Sequence, residues 1–401
     1  MAACSPFERQ HAVMITDVPE MAFCVDLFNA SQDRYKIEVD YRKDLASAMA
    51  EPGGTAALAI GRYLKSSGTR TAFQSLDYLF SELLINQSAF YPGLLELGNS
   101  EGRQILLPVS FNLPLVLFEK NREAGLAGNF LIGMEELESG GTEFNGRTGA
   151  STARMGFGPR WFPDFLYQAV RLSGAGFREG DPLAWDRSGL AAGITRLRDW
   201  TTTANGSASK EDEFQFKYLY LPSYRSVQEG RIGYAEMGSA EFFVIPEERR
   251  STLAFRWLSA GGVLPVYEDA AYAGLLRKGE GKPAAESFLK WFYSEDTQRL
   301  LLEDARKHRA MESSFGVAGG FSAIKSVNER LMPLFYPSLL GRLPPDQSLK
   351  PSAIMPSAWP RIKAEVILPF LLEATAEGFE GDVNEVLDRR LEAWLKRESN
   401  Q

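Results

Sequence analysis

The chain has 401 residues, of which 44% are hydrophobic and 24% charged, and this composition argues against wholesale disorder. Its formal net charge of −8 opposes binding to the phosphate backbone of nucleic acids. We find no apolar stretch long enough to span a bilayer. The length favours two α/β lobes over one core.

The N-terminal residues have the character of a tether. Met1-Ala2-Ala3-Cys4 resembles the end of a bacterial lipoprotein signal, in which small residues precede a cysteine that becomes lipidated. The apolar region of such a signal is missing, so on this interpretation the chain has been trimmed and cannot be lipidated in this form. The alternative is a chance Ala-Ala-Cys. Cys24 lies on the apolar side of a predicted helix, which favours a free buried thiol over a disulfide to Cys4.

Strands and helices alternate in the first part of the chain. The apolar run 11–16 predicts a buried strand, and the following helix is expected to use Asp17 as its N-cap. Residues 36–41 alternate apolar and polar side chains, as a second strand does. The small apolar run 56–60 is typical of a central parallel strand. This βαβ order predicts a parallel sheet.

Ligands of such a sheet bind beyond the carboxyl ends of its strands. Asp17 follows the first predicted strand and Arg62 follows the third, so we expect both side chains at this edge. Further along, residues 139–160 are rich in Gly, Ser and Thr and predict a loop. The other predicted elements are strands over 105–109, 114–118, 263–266 and 273–276, helices over 161–174, 185–201 and 210–225, a helix from Pro283, and a capped C-terminal helix from Asp382.

Few residues suit catalysis. The two histidines, His11 and His308, are far apart in the sequence, which excludes a His-rich metal site by count, and both are expected to be solvated. Nucleotide-binding and calcium-binding motifs are absent from the sequence, so we expect no cofactor and no metal. A pair of carboxylates acting in acid/base catalysis remains an alternative.

Aromatic residues make up 12% of the chain and offer a different chemistry. A sugar ring has an apolar C–H face and a hydroxyl rim, so its site needs flat aromatic walls with polar groups at the edge. Aromatic residues beside polar partners occur in predicted loops at Phe111-Asn112, Arg160-Trp161 and Tyr267 with Asp269. For each of these taken alone, packing in the core is the other interpretation.

Four segments follow one another in a recognisable order. Residues 105–126 (ILLPVSFNLPLVLFEKNREAGL) form strand, polar turn, strand and a helix ending in AGL, and 133–137 reads as a helix start. Residues 226–239 (SVQEGRIGYAEMGS) match F-x-x-G-x-x-A-M-x-x-G in part, and 273–298 pairs a strand with a helix like A-A-x-x-F-L-K-W-F. Together they resemble the extracellular solute-binding proteins of ABC importers, specifically the sugar- and maltose-binding group.

The resemblance implies an α/β, two-lobed, type II periplasmic-binding-protein-like fold with discontinuous lobes. It places a tether at 1–6, lobe 1 at 7–113 and 265–312, lobe 2 at 114–264 and 313–401, and hinge crossovers near 111–114, 262–265 and 312–316. Position by position, it maps ligand contacts to Asp17, Arg62, Phe111, Asn112, Arg160, Trp161, Ser239, Glu241, Tyr267, Asp269 and Phe315. Gly238-Ser239-Ala240 stands where the group often has Gly-Pro-Trp, so the identity of the sugar does not follow.

The implied function is that of the substrate-binding component of an ABC importer. A monomer in the periplasm, or otherwise outside the cytoplasm, would close on a small solute, a carbohydrate, and present it to the transmembrane permease subunits. Contact with the membrane would require a lipid anchor at Cys4. Two alternatives stay open: a glycoside-acting hydrolase that uses a carboxylate pair, and a solute sensor that has lost transport.

Overall fold

The computed structural model describes residues 9–126, 130–148 and 151–399. The expected tether and the lipidation site at Cys4 lie outside these residues. The strands are β1 (Gln10–Thr16), β2 (Tyr35–Tyr41), β3 (Leu58–Gly61), β4 (Asn99–Ser100), β5 (Arg103–Gln104), β6 (Leu107–Phe111), β7 (Pro114–Glu119), β8 (Leu131–Gly133), β9 (Gly146–Thr148), β10 (Ser151–Arg154), β11 (Tyr234–Gly238), β12 (Leu253–Ser259), β13 (Leu264–Pro265), β14 (Ala271–Leu275), β15 (Phe321–Ser322) and β16 (Leu349–Lys350).

The α-helices are α1 (Met21–Ser31), α2 (Leu45–Ala50), α3 (Ser67–Arg70), α4 (Asp77–Ser81), α5 (Pro92–Glu96), α6 (Met134–Phe144), α7 (Pro163–Leu172), α8 (Arg187–Trp200), α9 (Ala208–Lys217), α10 (Ser223–Gln228), α11 (Ser239–Phe243), α12 (Glu247–Arg250), α13 (Lys282–Phe292), α14 (Glu295–Lys307), α15 (Met332–Phe335), α16 (Trp359–Ile362), α17 (Leu368–Ala374) and α18 (Val383–Glu398). Short 3₁₀ segments include Lys120–Gly125 and Pro159–Trp161, and π-helical segments include Thr201–Asn205 and Lys363–Ile367. In the described part of the chain, no helix is both long and apolar enough to cross a membrane.

The chain divides into two compact units. Unit 1 contains the chain up to Asn112 together with Val266–Gln347 and Ile354–Ser357, and unit 2 contains Leu113–Pro265, Ser348–Ala353 and the chain from Ala358. The divisions after Asn112 and Pro265 fall within one residue of the lobe boundaries that the resemblance implies.

The third boundary differs from the one expected. Residues 313–347 belong to unit 1 rather than to the second lobe, because β15 pairs with β6 through Phe321 opposite Phe111. Phe315 therefore lies in unit 1 as well. A two-residue strand such as β15 has too little hydrophobic pattern to be recognised in the sequence.

Unit 1 is built on a six-stranded mixed sheet with the order β15-β6-β14-β3-β1-β2. β1 runs parallel to β2 and β3, as the βαβ pattern predicts, whereas β14 returns antiparallel between β3 and β6. All four residues of β3 are buried, in keeping with its continuous apolar run. α1 packs against α13 through Phe28, whose ring centroid lies 5.3 Å from that of Phe288.

Unit 2 has a four-stranded sheet with the order β11-β7-β12-β8. β7 is antiparallel to both of its neighbours, and β8 is parallel to β12. Its helices bury a cluster of rings in which Phe165 and Trp200 meet edge to face at 5.6 Å. Such pairs contribute about 0.5–1.5 kcal/mol beyond the area that they bury.

The loop predicted over 139–160 is wrong. The helix α6 continues through Gly140 and Gly141 to Phe144, and the strands β9 and β10 pair antiparallel. These glycines permit close packing: a Cβ on Gly140 would lie 2.5 Å from the Tyr234 hydroxyl oxygen, and one on Gly156 would lie 1.9 Å from the Gly141 carbonyl oxygen. Glycine content alone does not separate close packing from loop flexibility.

Other local predictions have mixed outcomes. The helix predicted over 210–225 is two helices, α9 and α10, separated by residues 218–222, and Pro222 directly precedes α10. The cap of α18 is confirmed, since the Asp382 carboxylate accepts N–H bonds from Asn384 at 2.9 Å and Glu385 at 3.1 Å. Cys24 is confirmed as a buried free thiol.

Candidate functional site

The carboxyl ends of β1 and β3 bring Asp17 and Arg62 together in unit 1. Thr16 and Ile60 are partners in the parallel ladder, so the residues that follow these strands meet at one edge. The Arg62 backbone N–H donates to Asp17 Oδ1 at 3.1 Å, and the Arg62 guanidinium donates to the Asp17 carbonyl oxygen at 3.4 Å. Gly61 makes this contact sterically feasible, because a Cβ there would lie 2.4 Å from Asp17 Oδ1.

Asp17 does not cap the following helix, which corrects the prediction from the sequence. α1 begins after Glu20 and has no side-chain cap. The Asp17 carboxylate instead accepts the N–H of Arg62, a residue 45 positions away. Long-range contacts of this kind compete with local capping, and only the register of the sheet reveals them.

The surroundings of the Asp17 carboxyl group shift its pKa. Its burial raises its pKa above the ordinary 3.8, and the positive charge and N–H of Arg62 offset part of this effect. The Asp269 carboxylate also raises the pKa of Asp17, so the two acids interact electrostatically. Asp269 precedes β14, whose Tyr272 pairs with Gly61 at the end of β3.

Lys65 completes this group of charges, and the sequence analysis missed it. Its side chain is buried, and its ammonium lies 4.1 Å from the centroid of the Tyr272 ring. Burial lowers the pKa of Lys65 from 10.5 to about 7, against the opposing effect of the Asp269 carboxylate. Nothing in its sequence setting, Tyr-Leu-Lys-Ser-Ser, separates this lysine from an exposed one.

The turn that carries these cations is conformationally unusual. Tyr63, directly after Arg62, has a φ of +58°, a left-handed conformation that few non-glycine residues adopt. Such conformations cost of order 1–3 kcal/mol and concentrate at functional sites. We call the group formed by Asp17, Arg62, Lys65 and Asp269 the polar edge of unit 1.

Asn112, directly after β6, lies next to Tyr267. Tyr267 is half-buried, and its backbone N–H donates to the Asn112 carbonyl oxygen at 3.1 Å. The Asn112 side chain donates to the Gly319 carbonyl oxygen at 2.9 Å. Asn112 and Tyr267 thus lie beside each other in unit 1, and both retain partial exposure.

Two of the expected ligand-contacting aromatic residues belong to the core of unit 1. Phe111 is buried, with its ring centroid 5.3 Å from that of Tyr91 and 5.7 Å from that of Phe321. Phe315 is buried against the same Phe321 ring at 5.0 Å. The core interpretation, left open for Phe111 in the sequence, describes both rings, because neighbouring aromatic residues enclose them.

Arg160 and Trp161 are held within unit 2. The Arg160 guanidinium forms an ion pair with Asp212 at 3.0 Å and donates to the Leu372 carbonyl and the Thr375 hydroxyl oxygen. The Trp161 indole stacks on Phe214 at 5.3 Å with a 17° angle between the rings, and its Nε1 donates to the Glu211 carbonyl oxygen. Arg160 is thus engaged in joining segments of its own unit.

Ser239 and Glu241 lie at the start of α11 in unit 2. Ser239 is fully buried, and its hydroxyl oxygen accepts the N–H of Leu113 at 3.1 Å. Glu241 is exposed. Ser239 therefore joins the start of α11 to the chain just before β7, whereas Glu241 is accessible to solvent.

No protein-family model matches the chain, and no curated protein matches it either. Among solved structures, the sugar-binding protein MalE from the phytopathogen Xanthomonas citri aligns with a TM-score of 0.70 at 12% identity, covering 97% of this chain and 98% of that one. A sugar transporter from Rhizobium etli, in an open conformation, aligns at 0.67 with 13% identity, covering 96% and 99%.

A third similar structure is the cyclic α-maltosyl-1,6-maltose binding protein from Arthrobacter globiformis. It has a TM-score of 0.64 and 17% identity, and the alignment covers 96% of this chain and 98% of that one. The likeness extends over nearly the full length of each chain. The predicted fold class is therefore confirmed: the chain has the α/β type II periplasmic-binding-protein fold that these sugar-binding proteins share.

Proposed function

We propose that the chain is the substrate-binding component of an ABC importer and that it binds an oligosaccharide by hinge closure. The observation that carries this proposal is the polar edge of unit 1, where two carboxylates, a guanidinium and a buried ammonium gather beyond the ends of β1 and β3. Charged donors and acceptors in such a place suit the hydroxyl groups of a sugar.

The structural neighbours support a carbohydrate as the ligand. Similar structures include complexes with mannotriose, with cycloalternan and with maltose. We therefore propose a gluco- or manno-oligosaccharide for this chain. The same proposal includes a monomer outside the cytoplasm that presents its ligand to permease subunits, with a lipid anchor at Cys4 as its membrane contact.

A thermal-shift screen tests the proposal. Maltotriose, mannotriose, amino acids and polyamines would be added at millimolar concentration, and a bound ligand raises the melting temperature by mass action. We expect a trisaccharide to raise it and the nitrogenous compounds to leave it unchanged. A rise with an amino acid or a polyamine and none with a saccharide would reject the carbohydrate assignment.

One observation favours a second candidate, a glycoside-acting hydrolase. Burial raises the pKa of Asp17, the carboxylate of Asp269 raises it further, and paired carboxyl groups perform general acid/base catalysis in glycosidases. Chromatography of maltotriose and mannotriose after long incubation distinguishes the two functions. Binding alone leaves both intact, whereas cleavage that disappears in Asp17→Asn would establish the hydrolase.

A further inference from the structure

A cavity of about 410 Å³ lies in unit 2 between the 3₁₀ segment Lys120–Gly125 and the helix α6. We call it the α6 cavity. Its volume is within the range of roughly 300–1,000 Å³ that is usual for sites of small molecules. Its lining is mainly polar and includes Asn121, Arg122, Glu136, Ser139, Glu143 and Tyr234.

The α6 cavity is separate from the polar edge. β7 begins at Pro114, directly after the division that follows Asn112, and Lys120–Gly125 follows the other end of this strand. Tyr234 pairs with Phe118 at that same end. The cavity therefore lies at the end of β7 away from the crossover, and its lining shares no residue with the polar edge.

One face of α6 supplies acceptors to the cavity. Glu136, Ser139, Gly140 and Glu143 are spaced by three, four and seven residues, which places them on one side of a helix. Glu136 is half-buried, whereas Ser139 and Glu143 are exposed. This face thus offers two carboxylates with a hydroxyl group between them, an arrangement that suits an ammonium group beside a hydroxyl group.

The opposite wall has a fixed guanidinium and a phenol. The Arg122 guanidinium carbon lies 4.8 Å from the ring centroid of Phe144 and 5.0 Å from that of Tyr234. Arg122 Nη2 donates to the Tyr234 hydroxyl oxygen at 3.2 Å, so this hydroxyl retains its own hydrogen to donate to a ligand. Gly140 leaves room for it, because a Cβ there would lie 2.5 Å from the hydroxyl oxygen.

The charges and polarity of the lining select a class of ligand. Two glutamates and one arginine leave one negative charge in excess, which favours a monocation and opposes phosphates. Among the described residues of the lining, Leu126 alone has an aliphatic side chain, so the methylene chain of a polyamine or an apolar amino acid finds little apolar surface to cover. A ligand with one ammonium and several hydroxyl groups matches this lining.

We propose that the α6 cavity is a second ligand site, which binds a hexosamine with a free ammonium group. The ammonium group pairs with the carboxylates of α6, and the ring hydroxyl groups form hydrogen bonds with Asn121, Ser139 and Tyr234. This site goes beyond the proposed function, because it lies within unit 2 and recognises a charged monosaccharide independently of the polar edge.

Isothermal titration calorimetry tests the proposal with D-glucosamine as the probe, at a slightly acidic pH at which its amine is protonated. D-glucose and N-acetyl-D-glucosamine have a similar ring without the charge. We expect saturable binding of D-glucosamine and binding of the two neutral sugars that is weaker by about tenfold or more. Glu143→Gln and Tyr234→Phe, which keeps the ring beside Arg122, should each weaken D-glucosamine binding about fivefold.

Glu135→Gln is the matched control, since Glu135 is an exposed acid of the same helix that pairs with Arg196 outside the cavity lining. It should change the affinity less than twofold. Equal losses in Glu135→Gln and Glu143→Gln would indicate general attraction of a cation and overturn the site, as would equal affinities for the three sugars. Binding that Asp17→Asn abolishes and Glu143→Gln leaves intact would place D-glucosamine at the polar edge and also overturn the proposal.

Discussion

Burial of Lys65 in the folded protein disfavours its charged form. Its pKa is about 7 in the folded protein against an ordinary 10.5, so the unfolded chain binds more protons between these values. The penalty is complete below pH 7 and disappears as the pH rises towards 10.5. For one proton, the free energy of unfolding should rise by up to about 1.4 kcal/mol per pH unit in this window.

Urea unfolding of the wild type and Lys65→Met at pH 7.5, 8.5 and 9.5 measures this effect, because other titrating groups cancel in the difference. The stability advantage of Lys65→Met should shrink as the pH rises. Lys36→Met, at a lysine whose side chain is 44% exposed, is the control and should show a constant difference. A constant difference for Lys65→Met as well would contradict the lowered pKa of Lys65.

Asp17→Asn should separate stability from binding. The folded state disfavours ionisation of Asp17, so at pH 7 its carboxylate carries a penalty that a neutral amide removes. The Asn oxygen can still accept the Arg62 N–H. We therefore expect an unchanged or higher melting temperature at pH 7 and a loss of trisaccharide affinity of about tenfold or more, measured by calorimetry.

The advantage in melting temperature should vanish as the pH falls below 3.8, where Asp17 is protonated in both states. Asp33→Asn, at an exposed acid in unit 1, is the control for both measurements. Unchanged trisaccharide affinity in Asp17→Asn would remove Asp17 from the ligand site.

For single residues, the sequence predicts which side chains lie close together better than it predicts how deeply each is buried. Strand order alone places Asp17 and Arg62 at one edge, and the structure does bring them together. Burial, by contrast, depends on which elements cover a side chain. Phe111 and Lys65 are both enclosed by residues distant in sequence, so neither the core position of one nor the lowered pKa of the other follows from local pattern.

Among the elements, α18 allows the cleanest test of a local rule. The Asp382 carboxylate satisfies two backbone N–H groups in its first turn. Asp382→Ala should cost about 1 kcal/mol of unfolding free energy, and Asp382→Asn only a few tenths, because Asn is also a good cap. Glu392→Ala, on the exposed side of the same helix, should stay within about 0.5 kcal/mol. Chemical denaturation compares the three variants.

The glycines around α6 allow a test of packing. A Cβ on Gly156 would meet the Gly141 backbone oxygen at 1.9 Å, whereas one on Gly125 would meet nothing within 4 Å. Gly156→Ala should destabilise the protein by about 2–3 kcal/mol, and Gly125→Ala should have little effect. Equal melting temperatures for the two variants would contradict close packing at Gly156 and would favour the loop predicted over 139–160.

Elements with a complete hydrophobic period were predictable, and short ones were not. β1, β2 and β3 follow from their apolar patterns, α13 follows from Pro283 at its start, and α18 follows from its apolar face and the Asp382 cap. β15 has two residues, and β14 enters the sheet antiparallel between β3 and β6. Such pairings depend on contacts between distant segments, for which no local period exists.

For the whole molecule, the proposed mechanism is closure of the units on a ligand. A ligand shifts such an equilibrium only through its different affinity for the two states. Small-angle X-ray scattering with and without a saturating trisaccharide should show a smaller radius of gyration in the bound form. If a trisaccharide raises the melting temperature but leaves the radius of gyration unchanged, the hypothesis of hinge closure is rejected and that of ligand binding is retained.

By itself, the sequence determined the α/β class, the first parallel strands and the adjacency of Asp17 and Arg62, because each follows from periodicity or from strand order along the chain. Only the tertiary structure decided that 313–347 joins unit 1, that Phe111 and Phe315 are core, and that Lys65 is buried beside Tyr272. These features arise where segments far apart in sequence exclude water from one another, and burial of that kind leaves no local pattern.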